Sequence, residues 1–284
     1  MPRLYVLAFD HRNSLMTSFF GVHGEPTGAD VHRARQAKRL IWEGLLLALD
    51  GAMPGEGAAL VDATYGRDVI HAAKQRGVRV AVPVEASGRT EMVFEHTDWR
   101  RRLDELDPSW AKALVRYNPT GDAAMNARQR ERLRELSRHC AGTARACMVE
   151  LLVPAEPEHA GPAYDTDVRP GLVVRAIEEL RTGGVEPDLW KLEGLERRED
   201  HDAVVRVAGA PCLVLGRGAD GDAVDRWLRA AAPVPGFVGF AIGRSIWWDA
   251  VKAFMAGGER GDAIAAIAAT YRHHVDVFEA AAAG

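Results

Sequence analysis

Residues 188–194 read Asp188-Leu189-Trp190-Lys191-Leu192-Glu193-Gly194. The run is short, mostly apolar and stopped by glycine, which is how a strand covered on both faces looks. Lys191 makes it informative, because a cation stands among Leu189, Trp190 and Leu192. Working outward, the same shape recurs along the chain, and a helix-like stretch follows each run. Eight runs are found: Leu4–Asp10, Ala58–Ala63, Arg79–Glu85, Ala111–Tyr117, Ala146–Pro154, Leu189–Gly194, Cys212–Gly218 and Phe237–Arg244. Between them lie Asp30–Leu49, Arg67–Arg76, Ala127–Cys140, Gly171–Leu180, Asp202–Ala208 and Ala223–Ala231, with apolar residues three or four apart among charges.

Eight strand–helix alternations predict an α/β protein of the (β/α)8 TIM-barrel type. The rival, a doubly wound open sheet, lacks a GxGxxG after the first strand in its dinucleotide-binding version. No internal repeat, Ser/Gly linker or charged tail argues for a second domain, so residues 1–284 are expected to form one barrel. The alanine-rich tail Asp262–Ala283 adds a helix that could cap the barrel or join two copies as a homo-oligomer.

The 284 residues are 47% hydrophobic and 27% charged, which excludes a disordered or collagen-like chain. The formal net charge of −4 gives no electrostatic footprint for nucleic acid or an anionic membrane surface. Cys140, Cys147 and Cys212 form no CxxC and fit reduced thiols. The first apolar run stops at Asp10-His11-Arg12, too short for a signal or a membrane span. The expectation is a soluble, cytoplasmic protein.

Barrel chemistry gathers at the carboxyl ends of strands. The polar residues there are Asp10, His11, Arg12, Asp62, Glu85, Asn118, Glu150, Lys191, Glu193, Arg217, Asp220 and Arg244, with Lys112 and Arg116 inside the fourth strand. As structure alone, Lys191 would pair with Glu150 or Glu193. As chemistry, a lysine in a barrel wall loses hydration, its pKa falls, and a neutral nucleophilic amine becomes accessible. Lys112 would disfavour a second positive charge nearby, Glu150 could shuttle protons, and Asp10 could orient an amine or take a hydroxyl proton. The last two strands end in Gly216-Arg217-Gly218 and Gly243-Arg244, where barrels often bind phosphate through bare backbone N–H groups and a bidentate arginine.

Other features read as structure. His139, His159, His201, His273 and His274 fall in helical or loop stretches, with no HExxH or clustered carboxylates that would suggest a metal site. No metal or cofactor is therefore expected. Trp247-Trp248 reads as packing for the final helix, and Arg100-Arg101-Arg102 as a solvated helix face.

Several blocks together resemble the class I, Schiff-base aldolase barrels. The chain is similar to the tagatose-bisphosphate aldolases, and more so to the aldolase module of bacterial inositol catabolism, which cleaves 2-deoxy-5-keto-gluconate 6-phosphate. The blocks are Leu7-Ala8-Phe9-Asp10-His11-Arg12, Asp62-Ala63-Thr64-Tyr65-Gly66, Tyr117-Asn118-Pro119, Glu150-Leu151-Leu152-Val153-Pro154, Trp190-Lys191-Leu192-Glu193-Gly194, Leu215-Gly216-Arg217-Gly218-Ala219-Asp220 and Gly243-Arg244-Ser245-Ile246-Trp247-Trp248. The resemblance implies that Lys191 matches the Schiff-base lysine, Glu150 the fifth-strand acid, Lys112 the fourth-strand lysine and Asp10 the first-strand acid. It implies a phosphorylated sugar or sugar acid as substrate, cleaved to dihydroxyacetone phosphate and malonate semialdehyde without a metal or cofactor. The substrate contacts are expected from His11, Arg12, Asp62, Arg116, Gly216, Arg217, Gly218, Gly243 and Arg244, with Arg12 or Arg116 supplying a cation for a carboxylate. Where His11 stands the tagatose-type enzymes carry glutamine, and the sugar kinase often fused to the inositol module is not in this chain. The alternatives are an aldolase for another ketose phosphate, of tagatose-bisphosphate or sulfofructose-phosphate type, or a non-catalytic sugar-phosphate-binding barrel.

Overall fold

Eight parallel strands close on themselves in the computed structural model, which describes residues 2–159 and 161–284. They are β1 (Leu4–Ala8), β2 (Glu56–Leu60), β3 (Arg79–Pro83), β4 (Trp110–Arg116), β5 (Ala146–Leu152), β6 (Leu189–Glu193), β7 (Cys212–Leu215) and β8 (Phe237–Ile242). Each pairs with the next in sequence, and β1 closes on β8 with Leu4 opposite Gly239. Gly239 has φ +147°, and a Cβ there would lie 2.0 Å from the Leu4 carbonyl oxygen, so glycine is needed at this seam. The (β/α)8 expectation holds, and every strand falls within two residues of the start read from the sequence.

The connecting helices are α1 (Gly28–Leu49), α2 (Ala63–Gln75), α3 (Trp99–Leu106), α4 (Ala123–Ala141), α5 (Arg169–Thr182), α6 (Arg198–Ala208), α7 (Gly221–Ala231) and α8 (Arg244–Met255). Carboxylate caps start several of them: Asp62 accepts from Tyr65 N, Asp122 from Ala124 N and Met125 N, and Asp220 from Ala223 N. The tail forms α9 (Arg260–Ala282), which lies against α1, α7 and α8. Its Ile267, Tyr271, Val275 and Phe278 are buried at helical spacing, and the Tyr271 hydroxyl donates to the Tyr5 carbonyl at 2.7 Å. Gly44 of α1 permits the contact, since a Cβ there would meet Ile267 at 2.5 Å. Among the described residues no helix is long and apolar enough to cross a membrane.

Side chains alternate along each strand, so every second residue faces the barrel interior. One apolar cluster fills its lower part, built from residues such as Val6, Leu60, Ala81, Trp110, Met148, Leu189 and Leu213. Two residues further on, the same inward face carries Lys112 after Trp110, Glu150 after Met148, and Lys191 after Leu189. The β5–β6 register sets Glu150 directly opposite Lys191. The interior is thus hydrophobic below and ionic above, and the change falls at the level of these three residues.

Candidate active site

A cleft of about 770 Å³ opens at the carboxyl end of the barrel. Lys191 lies at its base, buried, with Nζ 2.8 Å from Glu150 Oε1. Lys112 is buried beside it and touches three carboxylates: Asp10 Oδ2 at 2.9 Å, Glu85 Oε1 at 2.8 Å and Glu150 Oε2 at 2.8 Å. Burying so many charges is tolerable only because each has an opposite partner within hydrogen-bond distance.

The electrostatics follow from that inventory. Burial pushes the Asp10 and Glu150 carboxyls up, but the ammonium groups of Lys112 and Lys191 outweigh it and hold both below the usual carboxylate range. For Glu85 burial wins over Lys112 and Arg12, and its pKa is raised. Lys112 loses hydration, yet Asp10, Glu150 and Glu85 more than compensate and lift it well above an ordinary lysine. The sequence reading treated Lys112 mainly as a cation repelling Lys191. The structure surrounds it with carboxylates instead, so its charge is largely neutralised within the cluster.

The mouth is built on β7, β8 and the start of α8. Gly216, Arg217 and Gly218 make a tight turn, with Arg217 at φ +51° and Gly218 at φ +75°. A Cβ on Gly218 would lie 2.5 Å from the Arg244 guanidinium, so the glycine makes room for that side chain. Gly243 caps α8, and a Cβ on it would lie 2.1 Å from the Ala8 carbonyl oxygen. The start of α8 thus lies at the rim of the cleft, which Gly243 and Arg244 line, and a helix start is a place that favours an anion. Beside it the buried Ser245 Oγ has no hydrogen-bond partner among the described residues. Ser245 was quoted in the sequence only as part of a block, although a hydroxyl directly after Gly-Arg was the available signal.

Four arginines were considered, and the structure separates them. Arg12 is buried and engaged by Glu95, by the Glu85 carbonyl oxygen at 2.8 Å and by the Glu85 carboxylate at 3.6 Å. Arg217 holds Glu193 at 3.1 Å and Asp165 at 3.0 Å. Arg244 donates to the Arg217 carbonyl oxygen at 2.8 Å, and Arg116 to the Arg89 carbonyl oxygen at 3.0 Å. Neither of these last two has a carboxylate within ion-pair distance among the described residues. They stand at the ends of β4 and β8, four strands apart in a ring of eight, and so face each other across the cleft.

Of the thirteen residues singled out from the sequence, twelve line the cleft. Asp62 does not. It is fully buried, capping α2 through Tyr65 N and paired with Lys38 at 2.7 Å, out of reach of a substrate in the cleft. Glu193 is not the partner of Lys191 either, since it accepts from Val153 N at 2.8 Å and pairs with Arg217. His11 lines the wall with its ring edge-on to Trp247, and burial pushes its pKa down to about 3, so it is neutral. Trp247 also donates to the Ala8 carbonyl at 3.0 Å, which fixes the floor under His11 as well as packing α8. Glu85 was read as a strand-end acid without a role; the structure makes it a member of the lysine cluster.

Among the described residues, side chains with metal-ligand spacing occur at Asp225, His273 and His274, on α7 and α9 and outside the cleft. Asp225 stands 48 residues before His273, and the packing of α7 on α9 brings its carboxylate to the two histidines. The same carboxylate also binds Arg229 at 3.3 Å, which makes the group an ion-pair cluster.

Fold and site together define a (β/α)8 barrel with a lysine–carboxylate cluster at the base of a cleft whose rim carries Arg116 and Arg244. The chain belongs to the family DUF2090, described as an uncharacterized protein conserved in bacteria, whose model matches residues 1–282. No curated protein matches the chain. Among solved structures it is similar to a fructose-bisphosphate aldolase from Plasmodium falciparum (TM-score 0.70, 12% identity, 96% of this chain and 89% of that one). It is similar also to an archaeal fructose 1,6-bisphosphate aldolase (TM-score 0.60, 16% identity, 98% and 94%). A third is a Schiff-base-forming fructose-1,6-bisphosphate aldolase (TM-score 0.59, 16% identity, 96% and 94%). At these identities the likeness is one of fold.

Proposed function

We propose that the protein is a class I aldolase in which Lys191 forms a Schiff base with a phosphorylated keto-sugar acid. The observation that carries the reading is the buried Lys191 amine 2.8 Å from Glu150 on the inward face of the barrel, under a mouth lined by Arg217, Gly243 and Arg244. The aldolases among its structural neighbours support it.

In this reading Glu150 takes the proton from Lys191, and the neutral amine adds to the substrate ketone. The protonated Glu150 then gives its proton to the carbinolamine hydroxyl, which leaves as water and forms the imine. The protonated imine withdraws the electron pair of the neighbouring carbon–carbon bond as a base, Asp10 or Glu150, removes the hydroxyl proton on the far carbon. The bond breaks, an aldehyde leaves, and the remaining enamine is protonated on carbon. Water then hydrolyses the imine, returning Lys191 and releasing dihydroxyacetone phosphate. Lys112 keeps Asp10 and Glu150 ionised and within reach of the reacting atoms.

The two arginines without a carboxylate partner among the described residues support an anion at each end of the substrate. Arg244, with the N–H groups of α8, would hold the phosphate, and Arg116 across the cleft would hold the second acid group. That fits 2-deoxy-5-keto-gluconate 6-phosphate, with malonate semialdehyde as the aldehyde released. The test is to assay purified protein on this substrate beside tagatose and fructose bisphosphates, following dihydroxyacetone phosphate. Release from the keto acid at a kcat/KM well above the bisphosphates is expected. Release from a bisphosphate alone would move the substrate, and release from none would leave a binding barrel.

A further inference from the structure

A second cavity, of about 620 Å³, lies outside the barrel between α2 and α3, over the end of β3. Its base is apolar, from Val84 and Leu103, and Tyr65 and Trp99 also line it, the Trp99 ring being stacked on Phe94 and covered by the Arg100 guanidinium. The rim is cationic. Arg39 and Arg102 are already paired with Asp68 and Asp98. Arg35 and Arg67 are exposed and have no carboxylate within 4 Å among the described residues, and His71 stands exposed near them. The volume falls within the range of small-molecule sites, which combine an apolar body with a few placed polar groups.

The cavity is also joined to the catalytic cleft. Glu95 lines its wall, and the same carboxylate pairs with Arg12, which lines the cleft. Arg12 in turn holds the Glu85 carbonyl oxygen at 2.8 Å, and the Glu85 carboxylate holds Lys112 at 2.8 Å. A ligand that moves Glu95 therefore acts on the lysine cluster through two contacts.

We infer that this cavity binds a small anion carried on a flat apolar body, with the anion on Arg35 and Arg67 and the body between Tyr65 and Trp99, and that Glu95 couples its occupancy to the cleft. A carboxylate, sulfonate or phosphate satisfies the rim equally, and the apolar base selects an apolar body over a hydroxylated sugar. The coupling rests on the aldolase reading of the cleft; the binding does not.

The probe is 8-anilinonaphthalene-1-sulfonate, followed by fluorescence titration. It should bind once per chain. Arg67→Glu reverses the rim charge, and Thr64→Trp fills the cavity from the first turn of α2. Each should weaken binding by about tenfold or more, with unchanged thermal melts. Arg244→Ala should leave the dye bound. Equal affinity in all variants, or loss in Arg244→Ala, would overturn the site. So would a wild-type dimer that excludes the dye and that Arg67→Glu converts to monomer, because the face would then belong to a second copy. Dihydroxyacetone phosphate, titrated with dye present, should shift the dye's affinity, and Glu95→Gln should abolish the shift. Triose-phosphate binding seen by calorimetry without any shift would overturn the coupling. No triose-phosphate binding at all would place the fault with the aldolase reading instead.

Discussion

Lys112 and Lys191 share one carboxylate: Glu150 holds Lys191 through Oε1 and Lys112 through Oε2, each at 2.8 Å. The two lysines are nevertheless not equivalent. Among the described residues Lys191 pairs with Glu150 alone, whereas Lys112 also binds Asp10 and Glu85. Lys112 is therefore the hub that keeps three carboxylates together, and in the proposed reaction Lys191 is the amine that leaves the cluster and reacts.

Replacing the hub should cost stability before it costs anything subtler. Lys112→Met leaves Asp10, Glu85 and Glu150 facing one another, with Lys191 on Glu150 and Arg12 at 3.6 Å from Glu85 as the cations that remain. Breaking a buried ionic group by removing one partner costs about 3–5 kcal/mol. The deficit should be largest at neutral pH and narrow as the pH falls through 5, because protonating the carboxylates relieves the uncompensated charge. Thermal melts of wild type and variant between pH 4 and 8 check this, and a constant gap would deny the hub role.

Why the eight strands were legible and the hub was not is a matter of range. A parallel strand buried on both faces writes its signature locally, as in Leu189–Glu193, and the closing strand Phe237–Ile242 is as plain. The partners of a charge are set by register between strands far apart in sequence. Lys112 meets Asp10 across 102 positions, and nothing local announces it. Asp62 shows the same limit from the other side. A carboxylate at a strand end reads alike whether it faces the cleft or caps the next helix, and only Lys38, buried in α1, decides between them. Arg12 and Arg217 were likewise indistinguishable from Arg116 and Arg244 until Glu95, Glu193 and Asp165 were found on them. The α3 helix was marked only by the charges of Arg100–Arg102, being eight residues long.

His11 should contribute shape and no titration. Its folded pKa, pushed down to about 3 by burial, lies far below the ordinary 6.5, so the folded protein keeps the ring neutral at working pH. The unfolded chain takes up a proton below about pH 6.5, and the folded one does not, so stability attached to this residue is lost as the pH falls below that point. His11→Gln, which keeps a polar side chain of similar reach, should leave the shape of the kcat/KM profile between pH 5 and 8 unchanged. Its stability should fall less steeply than wild type from pH 6.5 to 5. A missing limb in the activity profile would make His11 an acid or base.

The two arginines without a carboxylate partner among the described residues should separate by substrate. Arg244→Ala removes a charged contact to the phosphate and should raise KM for every phosphorylated substrate, at about 2 kcal/mol or some thirtyfold in kcat/KM. Arg116→Ala should cost about as much with a substrate that carries a distal acid, and little with one that ends in a neutral group. Kinetics of both variants on such a pair check the assignment. An equal loss on both substrates in Arg116→Ala would mean that it holds the loop at Arg89 rather than the substrate.

The chemistry itself stands or falls with Lys191. If it forms an imine, borohydride added with dihydroxyacetone phosphate should inactivate the protein irreversibly, and mass spectrometry should find the reduced adduct on the peptide containing Lys191. Lys191→Arg keeps a cation beside Glu150, so the cluster stays paired and the protein should fold. A guanidinium never becomes neutral at working pH, so cleavage and trapping should both disappear. Glu150→Gln should act differently. The amide still occupies the space between the two lysines, yet it cannot take the proton from Lys191 or return it to the carbinolamine. Trapping should become slow, by about a hundredfold or more if general acid–base transfer is what the carboxylate supplies. The adduct, once formed, should still sit on Lys191. An adduct on Lys112 would exchange the roles of the two lysines. Full trapping and full cleavage in Glu150→Gln would leave the carboxylate a structural partner and send the search for the proton carrier to Asp10.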